Sequence, residues 1–166
     1  MSLTDAGVLA FLDHDDVWHP EHLRSLFRAL DDEAKRDVAF TATRTFRDGD
    51  TVRLEPVPEE RATVDIWEGF PWVCPLAISA AVVRRAAFDA VGGFDEGLHG
   101  LSDYHFWLRV GRRGPFLSIA APTCGVRRSP GSQTDSRRAA DFITLKARVA
   151  RDVAAAPLEE RRAPSA

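Results

Sequence analysis

Val8-Leu9-Ala10-Phe11-Leu12-Asp13-His14-Asp15-Asp16 is an apolar run of five residues that ends on three carboxylates. The run is too short for a helix and is bounded by polar residues, which predicts a strand over Val8–Leu12 buried on both faces. Acids this close together repel one another and lose hydration unless a cation sits among them. An oxygen-rich cluster of this kind suits Mg²⁺ or Mn²⁺, and such ions usually also hold a phosphate group of the substrate. Ligands of open α/β sheets bind beyond the carboxyl ends of the strands, where these acids fall. The same residues also read as a solvated acidic turn after a core strand, with Asp15 or Asp16 capping the next element.

Outward from this stretch, Pro20 opens a helix carried by Leu23, Leu26, Phe27 and Leu30. Val38–Phe46 and Thr51–Leu54 flank Arg47-Asp48-Gly49-Asp50, whose Asp-Gly pair predicts a hairpin. Glu55–Arg61 is a proline- and charge-rich loop, and Trp67–Pro75 fits no regular element. Leu76–Val83 reads as a strand that runs into a short helix, Arg85–Val91, stopped by Gly92-Gly93. A helix over Ser102–Arg113 starts on a capping residue and stops at Gly114, and Phe116–Ala120 is a further strand. An amphipathic helix from about Ser136 to Ala154 buries Phe142, Ile143, Leu145, Val149 and Val153. The chain thus divides into a main α/β unit (1–135), a terminal helix (136–156) and a frayed tail (157–166).

Composition narrows the function classes. The 166 residues form one domain by length, and 45% hydrophobic with 28% charged residues describes an ordinary globular protein. A net charge of −3 argues against a nucleic-acid footprint, which needs a basic face. Cys74 and Cys124 match neither a metal pattern nor a disulfide framework, so a reducing compartment is expected, the cytoplasm or its membrane periphery. The longest apolar stretch, Val73–Val83, is broken by Pro75 and is too short to span a bilayer. No basic region precedes Val8–Leu12, so no signal peptide is expected.

Asp13-His14-Asp15-Asp16-Val17-Trp18-His19-Pro20 resembles the "LDxDDxxxP" stretch of inverting family 2 glycosyltransferases of the GT-A fold. Val83-Arg84-Arg85, Val91-Gly92-Gly93-Phe94-Asp95-Glu96 and Ser102-Asp103-Tyr104-His105-Phe106-Trp107-Leu108-Arg109 look like that family's "vrR…vGGFDE…EDYdlwlR" block. A lone DxDD is weak evidence; the blocks in this order, over Gly7 to Thr134, are specific. The resemblance implies a partial GT-A fold, a mixed sheet flanked by helices, and transfer of a sugar from a nucleotide-sugar donor to an acceptor of unspecified kind. Members of the family place several strand–helix units, including the nucleotide-base pocket, ahead of the acidic strand, whereas here only Met1–Gly7 precede it. A truncated or split enzyme is therefore expected. Its Val8–Leu12 edge would self-associate or recruit an N-terminal partner segment.

Glycosyl transfer makes two demands on a protein. The leaving diphosphate gains charge, which a carboxylate-held divalent cation neutralises. The acceptor hydroxyl loses a proton as it attacks, which calls for a carboxylate base on the opposite face of the sugar. The resemblance assigns donor binding to Asp13 and Asp15, Mn²⁺ or Mg²⁺ to Asp15 and Asp16, and the base to Asp103, where a helix dipole keeps the carboxylate ionised. On local sequence alone, Asp103 is equally a plain N-terminal helix acid.

The chain departs from the pattern at two places. Ser102 stands where the family has Glu, and Val126-Arg127-Arg128-Ser129 replaces "YRxH", so its tyrosine and metal-ligating histidine are absent. Arg127 and Arg128 remain as a charge clamp for the diphosphate, or as surface arginines. Trp67, Phe70 and Trp72 fall at the family's acceptor-side loop, where aromatic rings either stack on sugars or simply pack. His14 is expected to be exposed and, on an extended chain, to point away from Asp13 and Asp15. Trp107 reads as core, Gly92-Gly93 as a tight turn, and Phe94-Asp95-Glu96 as positioning the loop before Asp103.

Two rival readings stand beside this one. The first is a non-catalytic remnant. The second takes Phe11–Val17 as the DxDx[TV] motif of a haloacid-dehalogenase-type phosphatase with Asp13 as nucleophile, a chemistry that also needs a lysine where only Lys35 and Lys146 exist.

Overall fold

The computed structural model describes residues 5–54, 60–69, 76–98, 101–128 and 139–155. In chain order these form β1 (Val8–Ala10), β2 (Val17–Trp18), α1 (His22–Asp32), β3 (Val38–Phe46), β4 (Arg61–Val64) and α2 (Ile66–Gly69). After a single 3₁₀ turn at Ile78–Ala80 come β5 (Ala81–Arg84), α3 (Arg85–Ala90), α4 (Ser102–Gly111), β6 (Phe116–Arg127) and α5 (Ala139–Ala155). All six strands join one mixed sheet in the order β1-β5-β3-β6-β2, with β4 also on β6. β3 and β6 run parallel, and every other pair is antiparallel.

Alternation of side chains across the strands builds a core on each face. Ala39, Val82, Leu117 and Ile119 meet α1 through Leu26, Ala29 and Leu30. Val38, Ala81, Val83 and Phe116 meet α4 through Phe106, Trp107, Leu108 and Val110, and α5 joins them with Val149, Ala150 and Val153. The expected terminal helix is therefore part of the same core, and Arg112 fastens it by donating to the Val153 carbonyl at 2.6 Å. Phe142, Ile143 and Leu145, expected on its buried face, have side chains outside the described residues, as does the tail over 157–166.

Several expectations are corrected. β1 covers Val8–Ala10, is half-buried, and lies at the end of the strand order with β5 as its antiparallel neighbour among the described residues; Leu12 is 49% exposed. The Asp48-Gly49 turn forms, closed by the Asp50 N–H on the Arg47 carbonyl with Gly49 at φ 87°, but Thr51–Leu54 forms no strand. The tight-turn chemistry was right; β3 finds its partner in β6 instead. β6 runs on through Pro122 to Arg127, because the ladder shifts register on either side of Ala42↔Pro122, where a missing N–H is tolerated. Ser102 is the first helical residue of α4 rather than its cap, a position that falls to Leu101. Leu76–Val83 divides into the 3₁₀ turn and a shorter strand, and Phe27 turns away from the core at 39% exposure.

The register shift also bears on where the acidic segment lies. β1 and β2 sit at opposite ends of the strand order, yet only Phe11 to Asp16 connect them. Four strand spacings are about 19 Å, close to the limit of six extended residues at about 20 Å. A connector containing a turn fits because the sheet curls, and bulges in a parallel or antiparallel ladder bend and twist strands in this way. The connector crosses the sheet with its three acids on it.

The GGFDE and DYxxWLR blocks are one structural device. Gly92 and Gly93 take φ of 74° and 68°, and a Cβ on Gly93 would stand 2.9 Å from Cζ of Phe88. Arg109 on α4 donates to the carbonyls of Val91 and Gly93, so the far end of the second block clamps the turn of the first. Arg109→Met should destabilise the fold by about 3 kcal/mol, since charge-assisted bonds to two carbonyls are lost. Arg109→Lys should recover little of it, lacking the planar fork. Urea unfolding of both variants checks this.

Candidate functional site

Asp13 to Asp16 form a tight turn closed by the Asp16 N–H on the Asp13 carbonyl at 3.1 Å. Aspartate is favoured at the first position of such turns. One end is held by Ser79, fully buried in the 3₁₀ turn, whose Oγ accepts from the Asp13 N–H at 2.9 Å. The other end is held by Arg127: its backbone N–H donates to Asp16 Oδ1 at 2.9 Å, and its Nε donates to the Asp15 carbonyl at 3.1 Å. Beneath the turn, Trp18 Nε1 donates to the Ser79 carbonyl at 2.6 Å, and the indole stacks on His22 at 4.9 Å. His14 is exposed as expected, but the turn sets its Nδ1 4.0 Å from Asp15 Oδ1 instead of pointing it away.

Asp103 is the second residue of α4, half-buried, with Oδ1 accepting from the Tyr104 N–H at 2.7 Å. Unpaired N–H groups of a first helical turn favour a carboxylate there. Aromatic packing ties this helix to the acid turn. Phe94 of the GGFDE block lies 4.7 Å from Phe106, three residues beyond Asp103, and 5.2 Å from Phe11, two residues before Asp13. The electrostatics carry the same relation. Asp13 has its carboxyl pushed above the usual range first by partial burial, then by the charges of Asp16, Asp15 and Asp103, with His14 opposing.

Of the remaining candidates, Arg128 donates its backbone N–H to the Phe46 carbonyl at 2.8 Å. Ser129, Phe70, Trp72 and Cys74 lie outside the described residues. Trp67 is a packing residue, donating from Nε1 to the Leu108 carbonyl at 3.2 Å. Trp107 is fully buried, as expected. The Cys124 thiol sits behind the acids, pushed up to about 12 by burial and then by Asp16 and Asp13, which removes it as a nucleophile at neutral pH.

His22, Thr123 and Ser79 support the site and were not singled out from sequence; nothing local marks them. His22 is 1% exposed and shares a 2.8 Å hydrogen bond with the Thr123 hydroxyl. Burial pushes its imidazole down to about 4, against an ordinary value of 6.5. A histidine neutral in the fold but charged in the unfolded chain contributes stability that is complete above 6.5 and is lost as pH falls toward 4. Lowering the pH from 7 to 5 should remove about 2 kcal/mol through His22. His22→Gln should flatten that part of the stability–pH curve, as urea unfolding at the two pH values would show.

Residues 1–135 match the model of the family described as glycosyltransferase like family 2, and the chain belongs to that family. It is similar to the uncharacterized protein y4gI of Sinorhizobium fredii, with 29% identity over 146 residues, 86% of this chain and 15% of the relative. Among solved structures it is similar to S. aureus TarS 1-349 in complex with UDP-GlcNAc, at a TM-score of 0.67 and 17% identity, over 95% of this chain and 45% of that one. The chain therefore spans less than half the length of either. The structural likeness establishes the fold, a GT-A-like mixed α/β architecture, and family membership sets the phosphatase reading aside. No described helix is long and apolar enough to cross a membrane.

Proposed function

We propose that this domain transfers a sugar from a nucleotide-sugar donor to an acceptor hydroxyl, with inversion, using Asp103 as the base and the Asp13–Asp16 turn as the donor-diphosphate site. The observation that carries the reading is the Phe94 ring, which packs 4.7 Å from Phe106 on the helix of Asp103 and 5.2 Å from Phe11 beside the acid turn, bringing the two sets of acids to one region. Partial burial and the charges of Asp16, Asp15 and Asp103 push the Asp13 carboxyl up, in keeping with a place for a cation beside these acids. The family, and a structural neighbour solved with UDP-GlcNAc, support the nucleotide-sugar class.

In this reading Mn²⁺ or Mg²⁺ would enter with the donor and not bind to the protein alone. Among the described residues no three His, Cys, Asp or Glu side chains converge as a metal centre. Asp15 and Asp16 would hold the ion together with diphosphate oxygens, the usual arrangement for Mg²⁺. When bound, it would neutralise charge developing on the leaving diphosphate. The protein's own groups do the rest. The rigid turn fixes where the diphosphate lies, Arg128 adds positive charge, and Asp103 takes the acceptor proton as the new bond to the anomeric carbon forms.

Calorimetry tests the reading. UDP with Mn²⁺ should bind, and Mn²⁺ alone should bind at least about 10-fold more weakly because the phosphates complete its shell. Asp15→Ala and Asp16→Ala should each weaken the ternary binding. Unchanged binding in both variants would contradict the assignment. A non-catalytic remnant would bind donor without consuming it, so hydrolysis of UDP-GlcNAc separates that alternative.

A further inference from the structure

The arginine that the family pattern offers as a diphosphate ligand is already committed. Arg127 makes four separate contacts: its N–H with Asp16 Oδ1, its Nε with the Asp15 carbonyl, its terminal nitrogen with Asp48 Oδ1, and its guanidinium over the Phe46 ring at 4.6 Å. Together these join the acid turn, the end of β3 and the Asp48-Gly49 turn. The guanidinium carbon lies over an aromatic ring and its Nε points at a backbone carbonyl, contacts that use the shape of the group and not only its charge.

We infer that the side chain of Arg127 is a positioning group, a strut that holds the Asp15 end of the acid turn by its main-chain carbonyl for the donor diphosphate, rather than a ligand of the diphosphate itself. Ser79 grips the Asp13 end of the turn; at the other end the Arg127 backbone N–H holds Asp16 Oδ1, a contact that any residue there would make, and the Arg127 side chain holds the Asp15 carbonyl. The turn itself is closed by the hydrogen bond from Asp16 to Asp13 and carries three mutually repelling acids. Without the Arg127 side chain the carbonyl of Asp15 loses its donor, and the peptide between Asp15 and Asp16 is held only by the Asp16 N–H on the Asp13 carbonyl. Supporting groups that orient metal and phosphate ligands typically matter by about 10- to 100-fold. The inference rests on the donor-site reading for its functional consequence, and on the structure alone for the strut.

The test therefore has two arms. In the unliganded protein, hydrogen exchange at the amides of Asp16 and Val17 should rise at least about 10-fold in Arg127→Met, while the amides of Leu26 to Leu30 stay unchanged. Unchanged exchange at the turn overturns the strut whether or not any donor binds. In the second arm, Arg127→Lys and Arg127→Met should weaken binding of UDP with Mn²⁺ alike, by about 10-fold or more. The double variant Arg127→Met with Asp15→Asn should bind within about twofold of Asp15→Asn alone, because Arg127 acts through that residue. Near-normal binding by Arg127→Lys with additive effects in the double variant would make Arg127 a direct phosphate ligand and overturn the inference. Absence of any UDP binding by the parent protein would instead defeat the donor-site reading, leaving the exchange arm to decide the strut.

Discussion

Asp103→Asn should slow hydrolysis or transfer from UDP-GlcNAc by about 10²-fold or more while leaving donor affinity within about twofold. Asparagine has nearly the size and hydrogen-bonding reach of aspartate, so the contact with the Tyr104 N–H survives and α4 keeps its start. The proton acceptor is what disappears. A residue that only capped the helix would show the reverse pattern, a modest loss of stability with turnover intact. The change should also relieve Asp13 of one of the charges that push its carboxyl up, so the Asp13 titration should move toward the ordinary carboxylate value. NMR titration of the Asp13 carboxyl in the variant reads this independently of turnover.

Trp107→Ala should destabilise the domain by about 3–5 kcal/mol. The side chain is fully buried and lies 4.8 Å from Phe106 and 6.0 Å from Phe116, so it presses α4 onto β6. Its removal leaves a cavity between the helix that carries Asp103 and the sheet that carries the acid turn. Turnover at a temperature where the variant is still folded should fall further than Asp103 chemistry alone would explain, because the distance across the site loosens. Trp107→Phe, which refills part of the space, should recover more than half of the stability. Chemical unfolding measures both.

Legibility in the sequence divides along physical lines. Elements defined by local patterns were legible: the helix through Leu26 and Leu30, the helix beginning at Ser102, the Gly92-Gly93 turn and the burial of Trp107. Elements that exist only through a distant partner were not. β2 is two residues long and β4 four, and each exists through its pairing with β6. Pro122 stops any reading of a strand, yet the register shift beside Ala42 lets β6 continue to Arg127. The Asp48-Gly49 pair signalled its turn correctly and its hairpin wrongly, since a turn is local and the choice of β6 over Thr51–Leu54 is not.

The site divides in the same way. The three acids stood out as a cluster of charge at the end of an apolar run, and Asp103 through the resemblance of its surroundings. Their relation depends on Phe94 bridging Phe11 and Phe106, and on Ser79 and Arg127 gripping the turn. His22 and Thr123 beneath it carry no local signal at all. A pattern of charges marks candidate residues; the packing that brings them together lies in contacts between residues far apart along the chain.

Paramagnetic broadening by Mn²⁺ tests the central claim most directly. With UDP present, low Mn²⁺ should first erase the amide signals of Asp13 to Asp16, and next those of Ser102 to Tyr104 and Arg127-Arg128, leaving α1 beyond Leu26 sharp. The pattern should vanish without UDP and in Asp15→Ala. Broadening centred elsewhere, or broadening at the turn that leaves the start of α4 untouched, would contradict a single site shared by the acid turn and Asp103.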